Sequence, residues 1–302
     1  MSAFYHFCHI AGSDSCSFHA SSPSAIESRL EALLSSLKRN PVIVPSALDS
    51  INELPSIISY SDVRRLIASS LYRPLVMFPP LAEALTALES GDGSPFLDLS
   101  GRSEGDPFLC DDGRDKPTPE LPDVEGSPHA TNAILCSDQG LQNDTVDTFG
   151  QYLEKAVEAS KSAGATMASM RLGCIGWAVE AKWRFAGPFR GNTSHPILFI
   201  ANTADNVTPL ISAQQNAKGF PGSALLVSNS YGHTSLSTPS HCAASYIRNY
   251  FQDGALPKEG TVCDPDLVPF EKWNITTSNV SDEGLGEALR ELMIAPVMWM
   301  GM

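Results

Sequence analysis

Pro196-Ile-Leu-Phe-Ile-Ala-Asn202 is an apolar run of the length that one buried parallel strand needs. Directly after it comes Thr203-Ala-Asp205-Asn-Val-Thr208-Pro209, where Thr208 can cap a helix and Pro209 fits its first turn. That helix is expected to reach Phe220, with Gly222 behind it. A second short strand, Ser223-Ala-Leu-Leu-Val-Ser228, ends in the polar turn Asn229-Ser-Tyr-Gly-His233. From Pro239 to Phe251 the pattern is helical again, with Ala243, Ile247 and Phe251 on one face. The order strand–helix–strand–helix predicts an α/β unit with a right-handed crossover. It leaves Asp205 and His233 just beyond the carboxyl ends of the two strands, the edge of an open α/β sheet where ligands and catalytic groups gather. A carboxylate there can hold an imidazole in one tautomer and stabilise its protonated form. The alternative is an Asp that caps its own turn and a histidine on the surface.

Further motifs recur in order. His195-Pro-Ile-Leu-Phe-Ile-Ala-Asn-Thr-Ala-Asp205-Asn-Val-Thr-Pro209 is followed by Gly219-Phe-Pro-Gly-Ser223 and Tyr231-Gly-His233. Ser240-His-Cys242, Tyr250-Phe-Gln-Asp-Gly254, Leu256-Pro257 and Gly260-Thr-Val-Cys263 come after them. Together they resemble the carboxyl-terminal region of the tripeptidyl-aminopeptidase-like α/β-hydrolases, relatives of the prolyl aminopeptidases, most strongly over about 70 residues from Thr193. The resemblance implies that Asp205 is the acid and His233 the base of a catalytic triad. Asn206 stands where the family often has proline, which leaves the acid undisturbed.

The chain has 302 residues, enough for one large domain or two modest ones, and 34 acidic against 20 basic residues give a formal charge of −14. That balance disfavours nucleic acid and anionic membrane surfaces. No apolar run approaches the ~20 residues that span a bilayer. The start, Met1-Ser-Ala-Phe-Tyr-His-Phe-Cys8, lacks the basic and apolar parts of a signal peptide. The seven cysteines are Cys8, Cys16, Cys110, Cys136, Cys174, Cys242 and Cys263. By themselves they suit either scattered cytosolic thiols or a secreted disulfide framework with one thiol over. The family resemblance implies the pairs Cys8–Cys16, Cys136–Cys174 and Cys242–Cys263. Sequons at Asn143, Asn192, Asn206, Asn274 and Asn279 agree with secretion, and a glycan on Asn206 would obstruct the proposed site. A chain that begins after its leader reconciles an exported cysteine pattern with the missing signal; a cytoplasmic protein is the other reading.

The first 185 residues read as mostly helical. His6, Cys8, His9, Cys16 and His19 invite a zinc reading, but their spacing matches no common zinc module, and a small disulfide-closed turn is preferred. Ser24 with Glu27 has capping-box spacing, ahead of Ile26, Leu30, Leu33, Leu34 and Leu37 on one face up to Asn40-Pro41. After the β-favouring Val42-Ile-Val-Pro45, a helix is expected at Ser61–Leu71 with Val63, Leu66, Ile67 and Leu71 inward. Another starts at Pro79-Pro80, carries Leu81, Leu85 and Leu88, and ends at Gly91. Thr145 to Ala163, with Phe149, Leu153, Ala156 and Val157, and Ala165 to Leu172 read as further helices with ordinary core faces. Residues 91–128, rich in Gly, Asp, Pro and Ser, read as a flexible loop. The segments are therefore 1–185, a helical cap with that loop; 186–256, the α/β unit with acid and base; and 257–302, a tail with one helix at Asp282–Met293.

A triad also needs a nucleophile, in α/β-hydrolases a serine on a Gly-x-Ser-x-Gly elbow between a strand and a helix. Gly101-Arg-Ser103-Glu-Gly105 matches the letters and precedes Asp205 and His233 in the right order. Its context argues against it: Phe96-Leu-Asp-Leu99 is a poor buried strand and Asp106-Pro107 a poor helix start. The resemblance supplies another account, in which the helical segment is the cap inserted before the acid's strand, and the first strands and the elbow lie upstream. The expected fold is thus a partial α/β-hydrolase with an uncovered apolar edge near Ile197–Ile200. The expected function is a serine hydrolase cleaving amide or ester bonds in a small-molecule or peptide substrate. The alternatives are a non-catalytic cap-like binding protein and a divergent hydrolase using Ser103. No cofactor or metal motif is present: no Gly-x-Gly-x-x-Gly follows a strand and no His-Glu-x-x-His occurs.

Overall fold

In chain order the elements are α1 (Ser2–Ala11), α2 (Pro23–Leu37), β1 (Val42–Val44), β2 (Ser56–Ile58), α3 (Tyr60–Ser70), α4 (Pro74–Glu89), α5 (Ser94–Leu99), α6 (Pro128–Gln139), α7 (Val146–Ala159), α8 (Gly164–Leu172), β3 (Leu198–Ala204), α9 (Leu210–Ala217), β4 (Ala224–Tyr231), α10 (His241–Asp253) and β5 (Val262–Cys263). The structure, a computed structural model, describes residues 1–45, 55–101 and 128–271, with positions 284, 288, 289 and 291 of the tail. Among the described residues, 1–45, 55–99 and 187–271 gather in one unit, and 100–101 with 128–186 in a second. Residues 1–45 and 55–99 thus share a unit with the α/β strands.

The first unit is built on an apolar cluster beneath α1 to α5. Phe4 is fully buried, sets its ring edge-on to Phe78 at 5.1 Å, and meets Phe18 and Phe270. Ile26, Leu30, Leu33, Leu34 and Leu37 of α2 are buried on one face, as their spacing dictates. The cap of α2 is Ser22 and not Ser24: the Ala25 amide donates to Ser22 Oγ at 3.1 Å, and Pro23 takes the first turn, where no amide hydrogen is needed. Replacing Ser22 by Ala is expected to cost about 1 kcal/mol, read as a lower urea midpoint. An unchanged midpoint would mean that Pro23 alone sets the helix start.

Two expectations for this unit change. Pro79 and Pro80 lie inside α4, which begins already at Pro74. An internal proline removes a helical hydrogen bond, yet Leu75, Phe78, Leu81, Leu85 and Leu88 are all buried along the helix, and that burial outweighs the loss. Phe96–Leu99 lies in a helix, α5, with Phe96 and Leu97 buried, so the expected loop 91–128 starts with ordered structure; residues 102–127 lie outside the described residues. Val42–Val44 pairs antiparallel with Ser56–Ile58, a partner strand that the sequence reading did not find.

The parallel sheet runs β3–β4–β5. β3 and β4 pair from Leu198↔Ala224 onward, with a register shift between Asn202 and Ala204, and α9 joins them. β5 adds a third strand at Val227↔Val262, where only two were expected. The other edge of β3 carries no strand among the described residues, and Ile197 to Ile200 are half-buried there. The core of this sheet is small: Leu226, Ala243 and Cys263 are buried, with Leu198 and Tyr246 against them. Phe251 does not join it and is 81% exposed, so the α10 face stops short of the expected residue. α9 is also shorter than expected, with Pro209 and not Thr208 at its cap position.

In the second unit α7 opens with a capping box made by Thr145 and Thr148. Its stripe of Phe149, Leu153, Ala156 and Val157 holds no buried residue, so it is not the core face that the spacing suggested. The helix ends at Ala159 because the chain doubles back at Gly164, where a Cβ would lie 2.0 Å from the Ala156 carbonyl oxygen. α6 was not anticipated; Cys136 on it is bonded to Cys174 after α8. Arg171 holds Asp144 with two hydrogen bonds, 2.7 and 3.0 Å, keeping that carboxyl below its ordinary value. No helix among the described residues is long and apolar enough to cross a membrane.

Candidate active site

β3 and β4 run parallel, so their carboxyl ends lie side by side, and each continues into a polar turn. The β3 turn brings Asp205 and the β4 turn His233 to within hydrogen-bond reach. His233 Nδ1 stands 3.1 Å from both carboxylate oxygens. An ionised carboxylate only accepts, so Nδ1 carries the hydrogen and Nε2 is the nitrogen left to take a proton.

The carboxylate is held on every side. Oδ1 accepts from the amides of Val207 at 2.7 Å and Thr208 at 2.8 Å; Oδ2 accepts from the Thr208 hydroxyl at 2.9 Å and the Thr234 amide at 3.2 Å. Only 3% of the Asp205 side chain is exposed, against 23% of that of His233. Burial pushes the Asp205 carboxyl up, but the amides of Thr208 and Val207, the imidazole and the Thr208 hydroxyl outweigh it and hold it below the ordinary carboxylate value. The residues that looked like a helix cap, Thr208 and Pro209, therefore divide: Thr208 serves Asp205, and the helix begins after Pro209.

The imidazole is also fixed from the link between α3 and α4. The His233 amide donates to the Tyr72 carbonyl at 2.8 Å, and the Tyr72 ring meets the imidazole edge-on at 5.4 Å. Burial, and then the nearby Asp205 carboxylate, push the Tyr72 hydroxyl above the ordinary phenol value. The sequence reading did not find Tyr72, and no local signal marks it. Thr234, at φ 69°, is a non-glycine residue in the left-handed region, also invisible in the sequence.

A second histidine–carboxylate pair shows what sets this one apart. His241 Nδ1 lies 2.7 Å from Asp266 Oδ2, which also accepts the His241 amide. There Nε2 is buried with no partner, so the pair ties the start of α10 to the segment after β5 and offers no accessible base.

The other sequence candidates fall as follows. Ser103 and Cys110 lie outside the described residues, as do the sequons at Asn274 and Asn279. Cys8–Cys16, Cys136–Cys174 and Cys242–Cys263 are the bonded pairs, the same ones that the resemblance implies. With Cys8 and Cys16 joined, no thiolate remains for zinc in that stretch; His9 and His19 stack, and no group of three metal-ligating side chains occurs among the described residues. Asn143, Asn192 and Asn206 are exposed.

Residues 160–263 match a family model described as TAP-like protein, which covers both strand ends and the Asp205–His233 pair. No curated protein matches the chain.

Proposed function

With residues 160–263 a TAP-like region of the α/β-hydrolase class, we propose that the protein is a serine hydrolase acting on amide or ester bonds, in which Asp205 and His233 are the acid and the base. The observation that carries this reading is the pair itself: a buried carboxylate with all its acceptor directions used, bonded to the Nδ1 of a part-exposed imidazole at the carboxyl end of a parallel sheet. In the reaction His233 Nε2 takes the proton of a serine hydroxyl as its oxygen attacks the carbonyl carbon. It then gives that proton to the leaving amine or alcohol, and water repeats the cycle on the acyl-enzyme. Asp205 keeps the ring in the tautomer that makes both transfers possible and stabilises the imidazolium between them.

Peptides are the proposed substrates on the resemblance alone, and the same scaffold accepts esters and other small acyl compounds. A helical cap over residues 1–185 would shape the pocket. Three disulfides support an extracellular setting, in which Asn143 and Asn192 are exposed acceptors for glycans. The second reading is a binding protein in which the pair is a relic.

Fluorophosphonate labelling tests the proposal. Protein isolated from the organism that makes it is expected to label at a serine; native protein that stays unlabelled sinks the hydrolase reading. The recombinant 302-residue chain is labelled in parallel. Robust labelling of it that disappears in Ser103→Ala would make Ser103 the nucleophile and replace this assignment with the divergent one.

A further inference from the structure

We infer that Asn202 is a positioning residue for His233, holding the base in line with its acid from underneath; the inference rests on reading Asp205 and His233 as the acid–base pair. Asn202 lies on β3, three residues before Asp205, and is 1% exposed. Its amide nitrogen reaches the Gly232 carbonyl at 2.8 Å, the Thr234 carbonyl at 2.8 Å and Ser237 Oγ at 3.1 Å. The first two are the carbonyls on either side of His233. Carbonyls only accept, so the amide must present its nitrogen to them and its orientation is determined. The consequence is visible at the other end of the side chain, where Asn202 Oδ1 is buried with no partner. A buried acceptor left unpaired is destabilising, and the arrangement persists because the nitrogen is needed where it is.

What the nitrogen holds is a strained turn. His233 sits between Gly232, at φ 99°, and Thr234, at φ 69°. Glycine takes such a backbone freely, whereas a β-branched residue adopts it only when its surroundings impose it. Thr234 is held at both ends: its amide is taken by Asp205 Oδ2, and its carbonyl by Asn202 at 2.8 Å, with the Ser237 hydroxyl at 2.9 Å and the Ser237 amide at 3.2 Å beside it. From the far side the Tyr72 carbonyl accepts the His233 amide. Without the Asn202 nitrogen, the Gly232 and Thr234 carbonyls lose the one donor that ties them together, the Thr234 carbonyl keeps only its Ser237 donors, and the hold against relaxation of Thr234 to negative φ weakens. That rotation takes its amide off the carboxylate and swings His233 Nδ1 away from Asp205. Asn202 touches neither imidazole nor substrate, so its effect on the base passes wholly through the turn.

The test uses the full chain with ring-labelled [15N]histidine. The hydrogen-bonded Nδ1–H signal of His233 is identified by its absence in His233→Gln and its displacement in Asp205→Asn. Asn202→Ala is expected to lose that signal and give mixed tautomers. The signals of His9, whose Nδ1 donates to the Ala20 carbonyl, and of His241 on Asp266 are expected to stay in place as controls in the same spectrum. The double variant Asn202→Ala/Thr234→Gly is expected to recover the His233 signal, because glycine keeps the turn without the clamp. Should Asn202→Ala fail to fold, Asn202→Ser, which retains one donor, is expected to show a weakened signal. An unchanged His233 signal in Asn202→Ala, or a loss that Thr234→Gly does not restore, overturns the inference while leaving the acid–base pair standing. A wild-type signal indifferent to Asp205→Asn instead overturns the pair itself.

Discussion

Asp205→Ala is expected to destabilise the first unit by about 3–5 kcal/mol, since several donors lose their acceptor at about 1–3 kcal/mol for each that stays buried and unpaired. The reason is the number of groups that converge on this carboxylate. The amides of Val207, Thr208 and Thr234, the Thr208 hydroxyl and His233 Nδ1 all donate to it. Truncation leaves those donors without an acceptor in a place where the parent side chain was 3% exposed. Asp205→Asn is expected to lose less, since one oxygen remains, although its amide then faces other donors. The effect should depend on pH with a definite sign. The folded-state carboxyl is held below its ordinary value, so its contribution is complete above about pH 3.9, the ordinary aspartate value. It is lost as the pH falls from there through the lowered folded value. Urea unfolding of parent and variant should therefore show the full gap at neutral pH and a shrinking one in acid. A gap of the same size down to strongly acidic pH would mean that Asp205 is not the anchoring carboxylate that its contacts suggest.

Gly232→Ala is the second large effect, about 3 kcal/mol from overpacking and the positive φ together. A Cβ at this position would lie 2.5 Å from Pro74 Cδ, 2.7 Å from the Tyr72 carbonyl oxygen and 3.0 Å from Ser237 Cβ. Two of these neighbours, the rigid ring of Pro74 that opens α4 and the backbone oxygen of Tyr72 in the link before it, cannot turn aside. The Tyr72 oxygen is also the acceptor for the His233 amide, so any retreat of that link takes His233 with it. Gly254 is the internal comparison: it has φ 68°, caps α10, and nothing lies within 4 Å of its would-be Cβ. Gly254→Ala should show the backbone cost alone, about 1 kcal/mol. Equal urea midpoints for the two variants would mean that the contact between the α3–α4 link and the His233 turn carries no weight.

The sheet edge and the meeting of Asp205 with His233 there were readable because each rests on a short piece of chain. A run such as Ile197 to Ile200 that is apolar throughout has few ways to bury itself, and a polar turn after it must lie at a strand end. The apolar stripe of α2 was readable for the same reason: five residues at helical spacing make one face. The failures share a different cause. Proline disfavours a helix interior, which places a helix start at Pro79 and Pro80, but the packing of Leu75 and Phe78 carries α4 through them. The local position of Thr208 allows a cap; in the fold its hydroxyl donates to Asp205 and Pro209 holds the cap position of α9. The α7 stripe and Phe251 have the spacing of core residues and are not buried, because spacing states which side is apolar and not whether anything covers it.

The amino-acid sequence alone determined the strand–helix–strand order and put Asp205 and His233 at neighbouring strand ends, because backbone preference and hydrophobic period act over a few residues. Only the tertiary structure decided that Tyr72 from a distant link would take the His233 amide and that Asn202 would hold the carbonyls around it. It also decided that Thr234 would lie at positive φ. Those choices depend on how loops close and which buried polar groups find one another, and a carbonyl looks the same in every sequence until folding brings a donor to it.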